Sequence, residues 1–141
     1  MKRTLKLTLL ISFLALLSST KIKAQSYATL DYWGKDIKLD RSFFQILNNQ
    51  WSYFLNNQAS QWRYYDYGDY TDIYNKTVQN LTRSDFKVQV TESNSLWFYN
   101  ISNDWPSSTE ENKNKKNRAR AGWVQHYVLL PALQEFAKGK I

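Results

Sequence analysis

Trp62, Arg63, Tyr64, Tyr65, Tyr67 and Tyr70 crowd into one short stretch, with Asp66, Gly68 and Asp69 between them. Tryptophan and tyrosine rings are stiff and combine an apolar face with a polar tip. They stack on sugars or fill protein pockets at small entropic cost. No period of 3.6 sorts these residues into a dry and a wet face, so 62–70 reads as a loop. Its rings either pack on one another or meet an unknown glycan or protein partner.

A second constellation is cationic. Lys113, Lys115, Lys116, Arg118 and Arg120 are interleaved with Asn112, Asn114 and Asn117. Cations early in a helix oppose its dipole, because positive charge belongs at the C-terminal end. The run therefore reads either as a solvated helical face or as a contact for an anionic surface or partner.

The residues that do bond-making chemistry are poorly placed for it. His126 is the only histidine, and it lies in an apolar helical pattern. No GxSxG-type elbow accompanies it, so it reads as a structural or surface residue rather than a triad base. One histidine and no cysteine leave zinc short of its usual ligands. Asp66, Asp69 and Asp72 repeat every third residue around Gly68. That is not the ligand step of a calcium loop, and turn and capping roles suit them better. The triplets beginning at Asn75, Asn80 and Asn100 match a glycosylation acceptor and matter only in a host that glycosylates. No catalytic residue, metal or cofactor is assigned. The alternative to a binding protein is a small secreted hydrolase of cell-wall or polysaccharide material, with Asp or Glu as acid and base. A non-catalytic subunit of a cell-envelope complex is a third reading.

Where the protein works follows from its N-terminus. Lys2, Arg3 and Lys6 precede an apolar run from Leu7 to Leu17, and a polar segment then ends at Ala24. This order is that of a cleaved secretory signal peptide over 1–24. The apolar run is shorter than the roughly 20 residues of a membrane span, so no transmembrane segment is expected in the mature chain. Removing 1–24 takes five of 19 cations and none of 12 acids, and the formal charge falls from +7 to +2. The global basic field that would draw nucleic acid is then gone. An exported, periplasmic or extracellular protein is expected. With no cysteine anywhere, no disulfide can brace it. Cohesion must come from apolar packing, and 22 of its 23 aromatic residues lie beyond Ala24.

The elements that position these residues follow in order. Ala28, Leu30 and Tyr32 alternate with polar residues, and Gly34-Lys35-Asp36 is suited to turn the chain into Ile37–Leu39, giving a first hairpin. Phe43, Phe44, Leu47, Trp51, Phe54 and Leu55 recur at helical steps behind Asp40, a natural N-cap. Ile73, Tyr74, Thr77, Val78 and Leu81 make a shorter helical stripe starting near Thr71 or Asp72. Within 85–101, Phe86, Val88 and Val90 alternate with polar residues, and a short turn leads into Leu96–Ile101. This is the best hairpin signal in the sequence. Its second strand is apolar on both sides, which implies cover on both or a contact surface on one. Ser108 to Glu111 fits a capping box for a basic C-terminal helix over 108–138, and Pro131 should end or kink it near Leu130. The expected fold is α+β: two to three helices packed on a small antiparallel hairpin or sheet, in a single domain over 25–141.

Overall fold

The computed structural model describes residues 27–59, 67–102, 105 and 115–141. The expected signal peptide over 1–24, Trp62 to Tyr65, the expected capping box at 108–111 and Lys113 lie outside the described residues. Strand β1 (Thr29–Tyr32) turns into β2 (Lys35–Lys38) through Trp33 and Gly34. Both turn residues have positive φ, 49° and 86°. That is the handedness a two-residue hairpin needs to match strand twist. Asp31 fixes the turn by accepting from the Gly34 amide at 2.9 Å. Trp33, a bulky residue in left-handed backbone, stacks on Tyr32 at 5.2 Å. The turn therefore sits one residue earlier than Gly34-Lys35-Asp36, and Lys35 and Asp36 belong to β2.

Helix α1 comprises Arg41–Tyr53 and a wide π turn, Phe54–Gln58. Asp40 caps it as expected: its carboxylate accepts from the Ser42 amide at 2.9 Å and the Phe43 amide at 3.3 Å. The same carboxylate pairs with Lys140 at 3.2 Å, joining the start of α1 to the chain's C-terminus. The Ser42 hydrogen bond foremost, helped by Lys140 and the Phe43 amide, holds the Asp40 carboxyl below the usual range. Its stabilising effect is present above the unfolded carboxyl pKa and fades as pH falls through the lowered folded value. Asp40→Ala should cost about 1 kcal/mol at neutral pH. Urea unfolding checks this, and Asp40→Asn should recover most of the loss.

Helix α2 (Tyr67–Leu81) starts earlier than the sequence pattern indicates. Residues 67–70 are helical rather than loop, which overturns the loop reading for that part of 62–70. The reason is spacing: Tyr70 stands three residues before Ile73 and seven before Thr77, so it extends the same buried stripe. Asp72, placed by sequence near the helix start, lies within α2 and pairs with Lys76 at 3.1 Å.

The second hairpin joins β3 (Lys87–Val90) to β4 (Leu96–Tyr99), with Val88 opposite Phe98 and Val90 opposite Leu96. The sheet runs β2-β1-β3-β4, antiparallel within each hairpin and parallel between β1 and β3. It is mixed rather than wholly antiparallel. Helices α1 and α2 lie between those two central strands in the chain, and a parallel pairing needs a crossover of that length.

Helix α3 runs as Lys115–Val124, a π turn Gln125–Leu129 and Leu130–Lys138. Pro131 does not end it. The wider turn immediately before the proline lets the helix restart, so Pro131 sits in a first turn where a missing N–H costs little. His126 is exposed on this turn, with its ring edge-on to Tyr127.

One face of the sheet and the three helices share a core. Leu30, Val88 and Val90 from the sheet meet Phe43, Leu47 and Phe54 from α1, Leu81 from α2, and Val128 and Leu133 from α3. Phe43 meets Phe136 edge-on at 5.5 Å, while Trp51 stacks on Tyr74 at 4.4 Å. Trp105 closes the bottom against Phe86 and Phe98. Among the described residues, no helix is long and apolar enough to cross a membrane.

Candidate functional site

Strand alternation sends Thr29, Asp31, Asp36, Lys38, Lys87, Gln89, Trp97 and Tyr99 to the other side of the sheet, where no described helix lies. Two cross-strand rows result. One is Lys38, Thr29, Lys87 and Tyr99, and the other is Asp36, Asp31, Gln89 and Trp97. Trp97 is 59% exposed and Tyr99 47%. Two rings spaced i, i+2 on an open strand face leave water in contact with surface that packing would otherwise take up.

The polar residues beside them are held in place. Asp31 accepts from the Gln89 amide at 3.1 Å, and the Gln89 carbonyl accepts from the Tyr99 hydroxyl at 3.1 Å. This chain crosses β1, β3 and β4 and sets which end of the Gln89 amide points where. Asp31 and Asp36 stand directly opposite one another, a pairing that costs free energy when left alone. Lys87 reaches Asp36 diagonally at 3.6 Å and relieves it. At the row of Tyr99 the face deepens into a groove of about 390 Å³, lined in part by Thr29, Asp85, Lys87, Tyr99 and Asn100. Arg83 grips Asp85 through two hydrogen bonds of 3.0 and 2.9 Å, which hold its carboxyl below the usual range. Asn80 anchors this turn from below. Its side-chain carbonyl accepts from Arg83 at 3.1 Å and from the Ser102 amide at 3.3 Å, and the residue is buried. Of the three glycosylation triplets, the one at Asn80 therefore presents no accessible acceptor.

The residues singled out by sequence fall differently. Trp62, Arg63, Tyr64 and Tyr65 lie outside the described residues, and of Tyr67 only the helical backbone is described. Tyr70 is fully buried, edge-on to Phe54 at 5.3 Å. It is a core residue, so the ligand-contact role suggested for it does not hold. Arg120 is only 5% exposed, and its guanidinium lies 5.7 Å from the Tyr70 ring centre. It therefore leaves the anionic-partner surface as well. One residue from Ala121 and four from Val124, it falls on the buried side of α3. Arg118 is half-buried, and Lys115 and Lys116 are on the first turn of α3.

The sequence marks the strand within Leu96–Ile101 as apolar on both sides but does not single out Trp97 and Tyr99 as a site. The signal was there: a strand apolar on both sides, in a sheet whose described helices cover only one.

Among the described residues, no group of three histidine or acidic side chains is arranged to hold a metal ion. Fold and face together define a small α+β domain with one covered and one open sheet surface, the latter carrying rings and ordered polar side chains. Comparison with protein-family models, with curated proteins and with solved structures finds no match to this chain.

Proposed function

We propose that this chain is a small exported binding domain that takes a neutral glycan on the open face of its sheet. The observation that carries the reading is the adjacent exposure of Trp97 and Tyr99, beside the Asp31–Gln89–Tyr99 chain of hydrogen bonds. Sugar rings offer apolar C–H faces edged by hydroxyls. Stacking aromatics answer the first, and planar amide and carboxylate groups answer the second. Charge supports a neutral ligand: Lys38 and Lys87 balance Asp31 and Asp36, and Arg83 answers Asp85. The shallow groove of about 390 Å³ beside Tyr99 leaves room for a sugar to extend from the stacking rings.

Calorimetric titration against a panel of neutral oligosaccharides tests this. Truncating an aromatic anchor at the centre of an interface costs about 2 kcal/mol or more. Trp97→Ala with Tyr99→Ala should therefore weaken binding by roughly 30-fold or more while the circular dichroism spectrum is unchanged. A parallel variant, Tyr64→Ala with Tyr65→Ala and Tyr67→Ala, assigns the contact. If it loses binding while the strand variant does not, the ligand belongs to the aromatic segment and not to the sheet.

A further inference from the structure

The two edges of the sheet are unlike. β2 has charge at Lys35, Asp36 and Lys38, the usual protection of an edge against pairing with another chain. β4, the other edge, reads Leu96-Trp97-Phe98-Tyr99, with no charge, no proline and an unbroken register against β3. No described residue outside β3 hydrogen-bonds to the backbone of β4. Edge N–H and C=O groups of this kind are a template for another strand.

We infer that β4 pairs antiparallel with β4 of a second copy of this chain, about a two-fold axis at Phe98, to make one continuous eight-stranded sheet. The register follows from the faces. Residues directly opposite across a strand pair must point to the same side. Trp97 must therefore face an outer-side residue, and setting it opposite Tyr99 of the second copy pairs residues 97–99 of each strand, with Leu96 meeting Asn100 just beyond β4. Phe98 then lies opposite its own counterpart on the core side. Such a contact is self-complementary, as a closed two-fold interface requires.

A second copy fits better than an unrelated peptide, because β4 is apolar on both faces and only a strand patterned the same way serves both. On the core side Phe98 is partly exposed and would gain cover from its counterpart, and Leu96, also partly exposed, would lie diagonal to Phe98 of the second copy. On the open side the two exposed rings of one chain join those of the second copy as two cross-strand pairs, each a Trp97 beside a Tyr99. The guarded β2 edges end up at the far limits of the joined sheet, where they stop further growth.

Sedimentation equilibrium without any ligand tests this separately from glycan binding. The purified protein should sediment at twice the mass of a single chain and dissociate on dilution. Trp97→Lys with Tyr99→Lys sets two lysines opposite two lysines, and this variant should be monomeric. Trp97→Lys with Tyr99→Glu removes the same rings but sets lysine opposite glutamate, and it should remain dimeric. Circular dichroism establishes that both variants fold. A monomeric parent protein would overturn the inference. So would two folded variants that behave alike: both dimeric would put the interface elsewhere, and both monomeric would exclude this register.

Discussion

Phe43→Ala should lower the unfolding free energy by about 3–5 kcal/mol, the range for removing a fully buried phenylalanine from a packed core. Phe43 is wholly enclosed, with the Phe44 ring at 5.2 Å and the Phe136 ring at 5.5 Å. It stands in the first turn of α1, where that helix meets the last segment of α3. Neighbours from two helices cannot collapse into the vacated space without moving both, so a cavity remains. Domains of this kind have total stabilities of about 5–15 kcal/mol, so the loss removes a large share. With no disulfide to hold the unfolded chain together, nothing else offsets it. In urea, with a slope of about 2 kcal/mol per molar, the midpoint should fall by about 2 M. Tyr53→Ala, on the exposed side of the same helix, should stay within about 0.5 kcal/mol of the parent. Equal effects for the two would mean that α1 does not present its Phe43 side to α3.

The second large effect is alkaline. Burial pushes the Tyr70 phenol from its ordinary 10.0 up to about 12, with the nearby Arg120 opposing the shift. Burial likewise raises Tyr74, stacked on Trp51, to about 12. A phenol that keeps its proton longer when folded stabilises the native state fully below the unfolded pKa. That contribution is lost as pH rises through the folded one. The window here is pH 10 to about 12. One pKa unit corresponds to about 1.4 kcal/mol, so Tyr70 alone accounts for a loss on the order of 3 kcal/mol across it. Phenolate absorbance should show late-titrating tyrosines that ionise together with unfolding. Tyr70→Phe should flatten the fall in stability between these pH values. An unchanged slope in that variant would place the alkali-sensitive group elsewhere.

Tyr70 also marks the line between what the sequence discloses and what it does not. Its helical spacing to Ile73 and Thr77 was visible, but so was its membership of an aromatic-rich run around Gly68, and local composition favoured a loop. Arg120 posed the same problem, since a cation within a basic run reads as solvated. The tertiary structure buries both by setting α2 against the first half of α3, with the guanidinium over the phenol ring. Partnership of that kind is non-local, and no window of sequence contains it.

The sequence alone determined the helical stripe behind Asp40, the cap itself, both hairpins and the α+β class. Each rests on contacts between residues a few positions apart, where periodicity and turn chemistry govern the outcome. Only the tertiary structure decided that the two hairpins join through parallel β1 and β3, and that a widened turn before Pro131 lets the helix resume. It also decided that Trp97 and Tyr99 face outward while Tyr70 and Arg120 face inward. Those outcomes depend on which sheet face the three helices cover. That choice is made by the summed burial of distant apolar residues, and no short segment specifies it.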